Sequence, residues 1–214
     1  MNVLVLCGDF WHPALIARTG LKSLGGTEFA FDCIEDTREW SPETMQNYRV
    51  VILTKCGNVS SADQSGWMSD HVQAAFVDYV RKGNGLLAIH SGTAIYAEKL
   101  VLRKLLGGVF NHHPEQCPVR VTPHPGHPLS LDSKPFTVKD EHYFMDLDDP
   151  GADVFVNTES GHGEQPGGWR RMEGRGRVAV LTPGHNLEVW LDPSFQALVR
   201  NCLQWCGSAL HTDR

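Results

Sequence analysis

The sequence lacks the features that mark several large classes of proteins. No two of its six cysteines have the Cys-x-x-Cys spacing of a zinc or redox site, so we interpret them as buried free thiols in a reducing cytosol. No apolar run approaches the ~20 residues that cross a membrane, and the short run at the start has no charged segment before it, unlike a signal peptide. We therefore predict a cytoplasmic protein with no membrane partner.

Excess positive charge is also missing. The formal net charge is −6, and lysine and arginine form no block, which argues against a nucleic-acid partner. We also expect no nucleotide cofactor. Histidine, by contrast, is abundant: the chain has eleven, about twice what average usage gives for 214 residues.

Strand-like and helix-like segments alternate along the first half of the chain. Residues 70–81 place apolar side chains at helical spacing, and residues 49–55 form a continuous β-branched run typical of a strand buried on both faces. This alternation predicts an α/β protein with a parallel sheet and right-handed crossovers. The predicted strands cover residues 2–7, 28–34, 49–55, 85–89, 118–122, 136–139, 154–158 and 177–181, and the predicted helices cover 70–81, 97–106 and 193–205.

The chain shows no sign of division into separate domains. It contains no internal repeat, no low-complexity tract and no long linker. We therefore predict one domain over residues 1–207, followed by a short C-terminal tail at 208–214. Whether the protein forms a homo-oligomer is left open.

Polar and titratable side chains follow the predicted strands where those strands end. In open α/β sheets, ligands bind beyond the carboxyl ends of the strands. His90 stands out, because it directly ends a buried strand and has neither full solvent nor an obvious structural need. Together these residues predict a functional site, whose candidates are Asp9, Trp11, His12, His90, His113, Glu141 and His185.

Two kinds of chemistry fit several histidines and one carboxylate. Imidazole nitrogens and a carboxylate oxygen would hold Zn, Mn, Fe or Ni, with an open position for water or substrate. The same groups would also serve metal-free general acid–base catalysis, with Glu141 as the partner of a histidine. Neither HExxH nor HxH spacing occurs, so both alternatives stay open.

The remaining histidines have structural explanations. A histidine at a turn is more often a surface or hydrogen-bonded residue than a ligand. His162 lies in a glycine-rich segment, residues 159–169, that we interpret as either a mobile lid or a flexible connection. The others are His71 near a helix start, His124 and His127 in a proline-stiffened loop, and His211 in the terminal tail.

Four motifs occur in a characteristic order along the chain: GLLAIHSG, GGVFNHHP, DEHYF, and GRGRV followed by GH. In this order they resemble the trehalose-utilization (ThuA-like) family, and the resemblance runs from Val3 to Trp205. It implies a flavodoxin-like fold related to class I glutamine amidotransferases. We therefore expect a three-layer α/β sandwich with a mostly parallel central sheet.

The resemblance also implies that His90 occupies the position of the catalytic cysteine of class I glutamine amidotransferases. In amidotransferases of this fold, the turn after the central strand carries the nucleophilic cysteine in a Gly-Ile-Cys-x-Gly setting. AIHSG occupies that setting here, and an imidazole cannot form the thioester of a glutaminase. The resemblance implies instead that His90, His113, Glu141 and His185 lie around one pocket and take part in sugar metabolism.

These inferences predict an enzyme of disaccharide or glucoside catabolism that acts on a sugar or a 3-keto sugar by isomerase, lyase or hydrolase chemistry. His90, Glu141 and His185 are its predicted catalytic residues, and with His113 they are the predicted metal ligands. The alternative is a non-catalytic sugar-binding or interaction domain that has lost the cysteine nucleophile. The predicted substrate contacts are Asp9, Trp11, His12, Ser91 and Tyr143.

Overall fold

The computed structural model describes residues 1–94 and 96–208. The predicted tail, apart from Ser208, lies outside the described residues, and so does His211. The helices of the described part are α1 (Ala14–Lys22), α2 (Pro42–Met45), α3 (Asp70–Arg81), α4 (Leu100–Leu106), α5 (Leu187–Leu191) and α6 (Pro193–Gly207). The strands are β1 (Asn2–Cys7), β2 (Ala30–Ile34), β3 (Val50–Thr54), β4 (Gly85–Ile89), β5 (Gly108–His112), β6 (Cys117–Pro123), β7 (Phe136–Asp140), β8 (Phe144–Leu147), β9 (Asp153–Ser160), β10 (Gly163–Glu173) and β11 (Gly176–Leu181).

Five strands form the parallel half of a nine-stranded sheet, in the order β2-β1-β3-β4-β11. Every residue of β3 and β4 is buried, because these continuous apolar runs lie at the centre of the sheet with helices over both faces. The order is that of a doubly wound sheet, in which ligands bind beyond the carboxyl ends of the strands.

The other four strands, β10, β9, β6 and β7, pair antiparallel. Within the described residues the sheet is therefore mixed, and the expectation of a mostly parallel sheet is not confirmed. The connections explain the difference: no helix lies between β9 and β10 or between β10 and β11, so the chain turns back as hairpins instead of crossing over. A separate two-stranded sheet pairs β5 with β8.

Residues 159–169 do not form an irregular loop, because most of this glycine-rich segment belongs to the β9–β10 hairpin. A β-bulge shifts the pairing around Gly167 and Gly168. A Cβ at Gly167 would lie 2.6 Å from a methyl group of Thr158, so the glycine serves the close approach of the two strands. The close packing of the two strands therefore explains a glycine in this segment, whose glycine-rich composition suggests a loop.

Helices cover both faces of the sheet and create two apolar cores. On one face, α1, α5 and α6 pack against alternate residues of β1, including Val3 and Val5. On the other face, α2, α3 and α4 pack on the side that presents Leu4 and Leu6. The alternation of β1 side chains thus divides the core into two layers around one sheet.

The cysteines and the helices can be compared with the features noted in the sequence. All six cysteines are free thiols, and four of them are buried. In the part of the chain that the structure describes, no helix is both long and apolar enough to cross a membrane.

Candidate active site

Four side chains from different parts of the chain meet at the edge of the sheet where the parallel strands have their carboxyl ends. They are His12 after β1, His90 after β4, Glu141 after β7 and His185 after β11. One ligand atom from each lies within 4.8 Å of the others. We call these four residues the cluster. Among the described residues, no other group of three or more histidine, cysteine, aspartate or glutamate side chains comes together in this way.

His90 is held in one orientation and one tautomer. Its Nδ1 lies 2.8 Å from the carbonyl oxygen of Thr182. Because a carbonyl only accepts, Nδ1 carries a proton, and Nε2 faces the cluster, 3.4 Å from Glu141 Oε2. The backbone of His90 has φ +47°, an uncommon conformation for a residue other than glycine, which points to a constrained turn.

The turn that carries His90 passes very close to β3. A Cβ at Gly92 would lie 1.9 Å from the carbonyl oxygen of Leu53, so only glycine allows the 3-10 helix His90–Thr93 to lie there. This close approach fixes the distance of the His90 ring from the strand ends.

His12 is oriented by a buried carboxylate. Its Nδ1 lies 2.8 Å from Asp9 Oδ1, and Asp9 also accepts hydrogen bonds from the backbone N–H groups of Trp11, His12 and Cys56. His12 Nε2 is thereby left facing the cluster, buried and without a hydrogen-bond partner among the described residues. A carboxylate behind a histidine is the arrangement that orients metal-ligating imidazoles in proteins.

Glu141 and His185 lie side by side in the cluster. Glu141 Oε2 is 3.1 Å from His185 Nδ1, yet the two atoms do not make a well-directed hydrogen bond. Burial opposes ionisation of Glu141, but its contacts with His185 and His90 lower the pKa of the carboxyl below its usual value. Burial likewise opposes a charge on His185, but Glu141 raises its pKa. Glu141 is therefore an anion at neutral pH.

Asp140 ties the Glu141 segment to the His185 segment. Its buried carboxylate accepts hydrogen bonds from the backbone N–H groups of Gly184, His185 and Asn186, at 2.8, 3.0 and 3.3 Å. The next side chains alternate in direction: Glu141 faces the cluster, and His142 bonds on the other side to hydroxyls of β9. One carboxylate thus brings two cluster residues together from segments 44 residues apart.

A cavity of about 470 Å³ opens in front of the cluster, and we call it the front pocket. Its aromatic walls include Trp11, which is 60 % exposed, and Tyr143, whose ring stacks on His90 with centroids 3.9 Å apart. None of its described lining residues is a lysine or arginine. The lining residues are Trp11, His12, Cys56, Ala94, Phe110, His113, Glu141, Tyr143 and His185.

The predicted ligand set and the observed cluster share His90, Glu141 and His185. His12, predicted as a substrate contact, joins the cluster in the place expected for His113. His113 Nε2 lies 3.7 Å from Glu141 Oε2, but its side chain is 36 % exposed at the rim of the front pocket. The sequence does not reveal that His12 belongs to the cluster, because His12 lies five residues after the end of β1. The turn around Asp9 returns its ring to the strand ends.

The predicted substrate contacts differ in where the structure places them. Asp9 and Ser91 are each 1 % exposed, and neither lines the front pocket. Trp11 and Tyr143 do line it. Sequence reasoning also missed Phe110, which lies directly before the NHHP segment and whose ring centroid is 4.2 Å from that of Tyr143.

The cluster fits a divalent metal ion. His12 Nε2, His90 Nε2 and His185 Nδ1 are buried, have no hydrogen-bond partner among the described residues, and surround an anionic carboxylate. The 3.1 and 3.4 Å separations from Glu141 Oε2 are close to the roughly 3.3 Å between neighbouring ligands of a tetrahedral zinc ion with bonds of 2.0–2.1 Å. Three imidazoles and one carboxylate suit Zn, Mn, Fe or Ni.

Solved structures with the same fold come from several bacteria. A ThuA-like protein from Bacteroides uniformis is 20% identical, with a TM-score of 0.74 over 96% of this chain and 91% of that chain. A ThuA-like protein from Parabacteroides merdae is 15% identical, with a TM-score of 0.77 over 97% and 90%. A β-galactosidase from Rahnella sp. R3 is 16% identical, with a TM-score of 0.67 over 94% of this chain but 30% of its own. At these identities the likeness shows the fold alone.

Comparison at the level of sequence gives the family. No curated protein matches the chain. A family model described as trehalose utilisation matches residues 2–206, which is nearly the whole chain. The chain therefore belongs to the ThuA family, the family of trehalose utilisation.

Proposed function

We propose that this protein is a metal-dependent enzyme that acts on an uncharged sugar or keto sugar. Membership of the trehalose utilisation family supports the role in carbohydrate metabolism. The observation that carries the proposed chemistry is the cluster itself: three unpartnered imidazole nitrogens and one carboxylate within 4.8 Å, at the inner end of a cavity of about 470 Å³.

The hydrogen bonding of the imidazoles favours a metal site over metal-free acid–base catalysis. Buried polar atoms in native proteins almost always have partners, and an unpaired one is costly. His12 Nε2 has no partner among the described residues, and His90 Nε2 and His185 Nδ1 face only the Glu141 carboxylate, without a well-directed hydrogen bond. A cation at this point would satisfy all three nitrogens at once. The proton-bearing nitrogens of His12 and His90 are already bonded, to Asp9 and to Thr182, as in metal-ligating histidines.

The walls of the front pocket favour an uncharged carbohydrate over a sugar phosphate. Trp11, Phe110 and Tyr143 offer aromatic faces on which the apolar face of a sugar ring can pack. A phosphate group would require arginine, lysine or a helix N-terminus, and the described lining includes neither of the two cations.

The residues around the cluster would have different roles in a proton-transfer reaction. A divalent ion bound to the cluster would polarise a carbonyl or hydroxyl oxygen of the sugar. Tyr143 holds the His90 ring by stacking, and Asp140 holds Glu141 beside His185. His113, exposed at the rim and outside the cluster, would move the proton beside the carbonyl when a keto sugar isomerises or when a keto-sugar glycoside expels its aglycone by elimination.

Metal content tests this proposal. The chain, purified without chelators and analysed by elemental mass spectrometry, should carry one divalent ion. His90→Ala and Glu141→Gln should lose it, whereas the matched control His112→Ala, which removes an exposed histidine outside the cluster, should keep it. Equal metal content in all four proteins would contradict the proposed ligand set.

A second candidate function is a sugar-binding domain without catalysis. The observation in its favour is that His90 directly follows β4, the position at which the resemblance to class I glutamine amidotransferases would place a cysteine nucleophile. Sugar binding by the metal-loaded protein without turnover of sugars or keto sugars would favour this candidate. Turnover that is lost in EDTA and restored by the metal would exclude it.

A further inference from the structure

The cluster lies between two cavities. His12 and His185 line the front pocket, and they also line a smaller cavity on the side of the strand ends. Part of the wall of this second cavity, which we call the rear cavity, consists of residues that lie at the ends of β1, β3, β4 and β11 or up to three positions beyond them: Gly8, Thr54, Ser91 and Gly184. No function in the preceding sections uses it.

The rear cavity contains a polar group that lacks a partner. Ser91 is 1 % exposed, and its hydroxyl makes no hydrogen bond with any described residue. Its neighbour in the same turn behaves differently, because the Thr93 hydroxyl donates to the carbonyl oxygen of His90 at 2.8 Å. Buried hydroxyls without a protein partner are usually satisfied by an ordered water molecule.

The space in the rear cavity matches a single small ligand. About 10 Å³ is accessible to the centre of a water-sized sphere, which is close to the least space that one water molecule needs. Thr54, which is also buried and carries a hydroxyl, lines the rear cavity as well. Two hydroxyls and the backbone of the strand ends supply the polar partners that such a water requires, and a sugar is far too large for the space.

We propose that the rear cavity binds one water molecule, which the Ser91 hydroxyl holds behind His12 and His185. In this proposal Ser91 binds a structural water molecule and does not contact the substrate. The water joins the ends of β3 and β4 beneath two rings of the cluster, on the side away from the front pocket. This assignment rests on Ser91 and the cavity alone, so it stands whether or not the cluster holds a metal ion.

A crystal structure at about 1.5 Å resolution and ¹⁷O magnetic relaxation dispersion, both on EDTA-treated protein, test the proposal. In the unaltered protein, density for a water should lie in the rear cavity within hydrogen-bond distance of Ser91 Oγ. Ser91→Ala should remove that density and reduce the number of long-lived waters by one. The matched control Ser130→Ala, which removes a buried hydroxyl that already donates to Phe155 O, should leave the number unchanged.

Three results would overturn the proposal: no density in the rear cavity of the unaltered protein, density that stays in place in Ser91→Ala, or an unchanged number of long-lived waters in that variant. The structure of the unaltered protein decides the question by itself if Ser91→Ala does not fold. Because no metal is present in these samples, failure here leaves the proposed metal chemistry untouched, and failure of the metal test leaves the water site untouched.

Discussion

His12 and His90 both carry their ring proton on Nδ1, because that atom faces an acceptor: Asp9 for His12 and the Thr182 carbonyl for His90. The two acceptors differ in kind. A backbone carbonyl cannot be removed by substitution, whereas Asp9 can be changed to a group of nearly the same shape. At the scale of single residues, Asp9 is therefore the position where ligand orientation can be tested without touching a ligand.

Asp9→Asn should weaken metal binding roughly 10- to 100-fold, the usual effect of changing a residue behind a metal-ligating histidine. The asparagine oxygen can still accept from His12, but its amide would face the N–H of Cys56, which donates to Asp9 Oδ2 at 2.9 Å. Competition with a chromophoric chelator measures the change. The exposed Asp32→Asn serves as control, and an unaltered affinity in Asp9→Asn would show that this carboxylate does not tune the site.

Trp11→Ala should raise KM for the sugar substrate roughly 2- to 10-fold, because an aromatic stacking contact contributes about 0.5–1.5 kcal/mol. The melting temperature should not change, since the side chain is 60 % exposed. Phe10→Ala is the matched control: Phe10 is also exposed and contacts the Trp11 ring, but it does not line the front pocket. Equal KM values for the two variants would contradict a role of Trp11 in sugar binding.

At the scale of elements, the 3-10 turn after β4 should tolerate no side chain at Gly92. A Cβ there would lie 1.9 Å from Leu53 O, so Gly92→Ala must displace the turn that carries His90. We expect a loss of stability of about 1–3 kcal/mol, typical of overpacking, together with weaker metal binding. Gly161→Ala, with open space around its Cβ, should change neither the denaturation midpoint nor the metal content.

The loop before β7 should make stability depend on pH through His127. Its ring accepts from the Leu129 N–H and contacts Asp153, while burial and the charge of Arg170 lower its pKa below the usual value. In the unfolded chain this histidine binds its proton at higher pH, so acidification through about pH 6.5 favours unfolding. His127→Asn keeps an acceptor for Leu129 and should flatten this slope in urea denaturation; identical slopes for both proteins would contradict the prediction.

At the scale of the whole molecule, metal binding should raise the melting temperature. At a free metal concentration of about 100 times Kd, binding to the native state contributes about 2.7 kcal/mol, or roughly 5–10 °C for a chain of this size. Calorimetry with the metal and with EDTA measures the shift. His90→Ala should show none, and an equal shift in that variant would place the ion elsewhere.

The sequence predicts the parallel half of the molecule better than the rest, for physical reasons. Buried strands such as β4 are continuous apolar runs, so the side chain that ends them, His90, is visible without a structure. Residues 163–169 have the composition of a loop although they form a strand. Their glycines are needed for close contacts with Thr158 and Phe155, which the local sequence does not show. The role of His12 likewise depends on hydrogen bonds to Asp9 that no spacing rule reveals.

The four cluster residues are spread from His12 to His185 along the chain. A nascent chain still on the ribosome cannot complete the set until its last strand has emerged, so an ion cannot guide the early steps of synthesis. Loading of the proposed metal ion would follow formation of the native topology, because the complete ligand set needs all four strand ends in place. Bound metal would therefore also serve as a marker of correctly assembled molecules, and chains that misplace one strand end would remain empty.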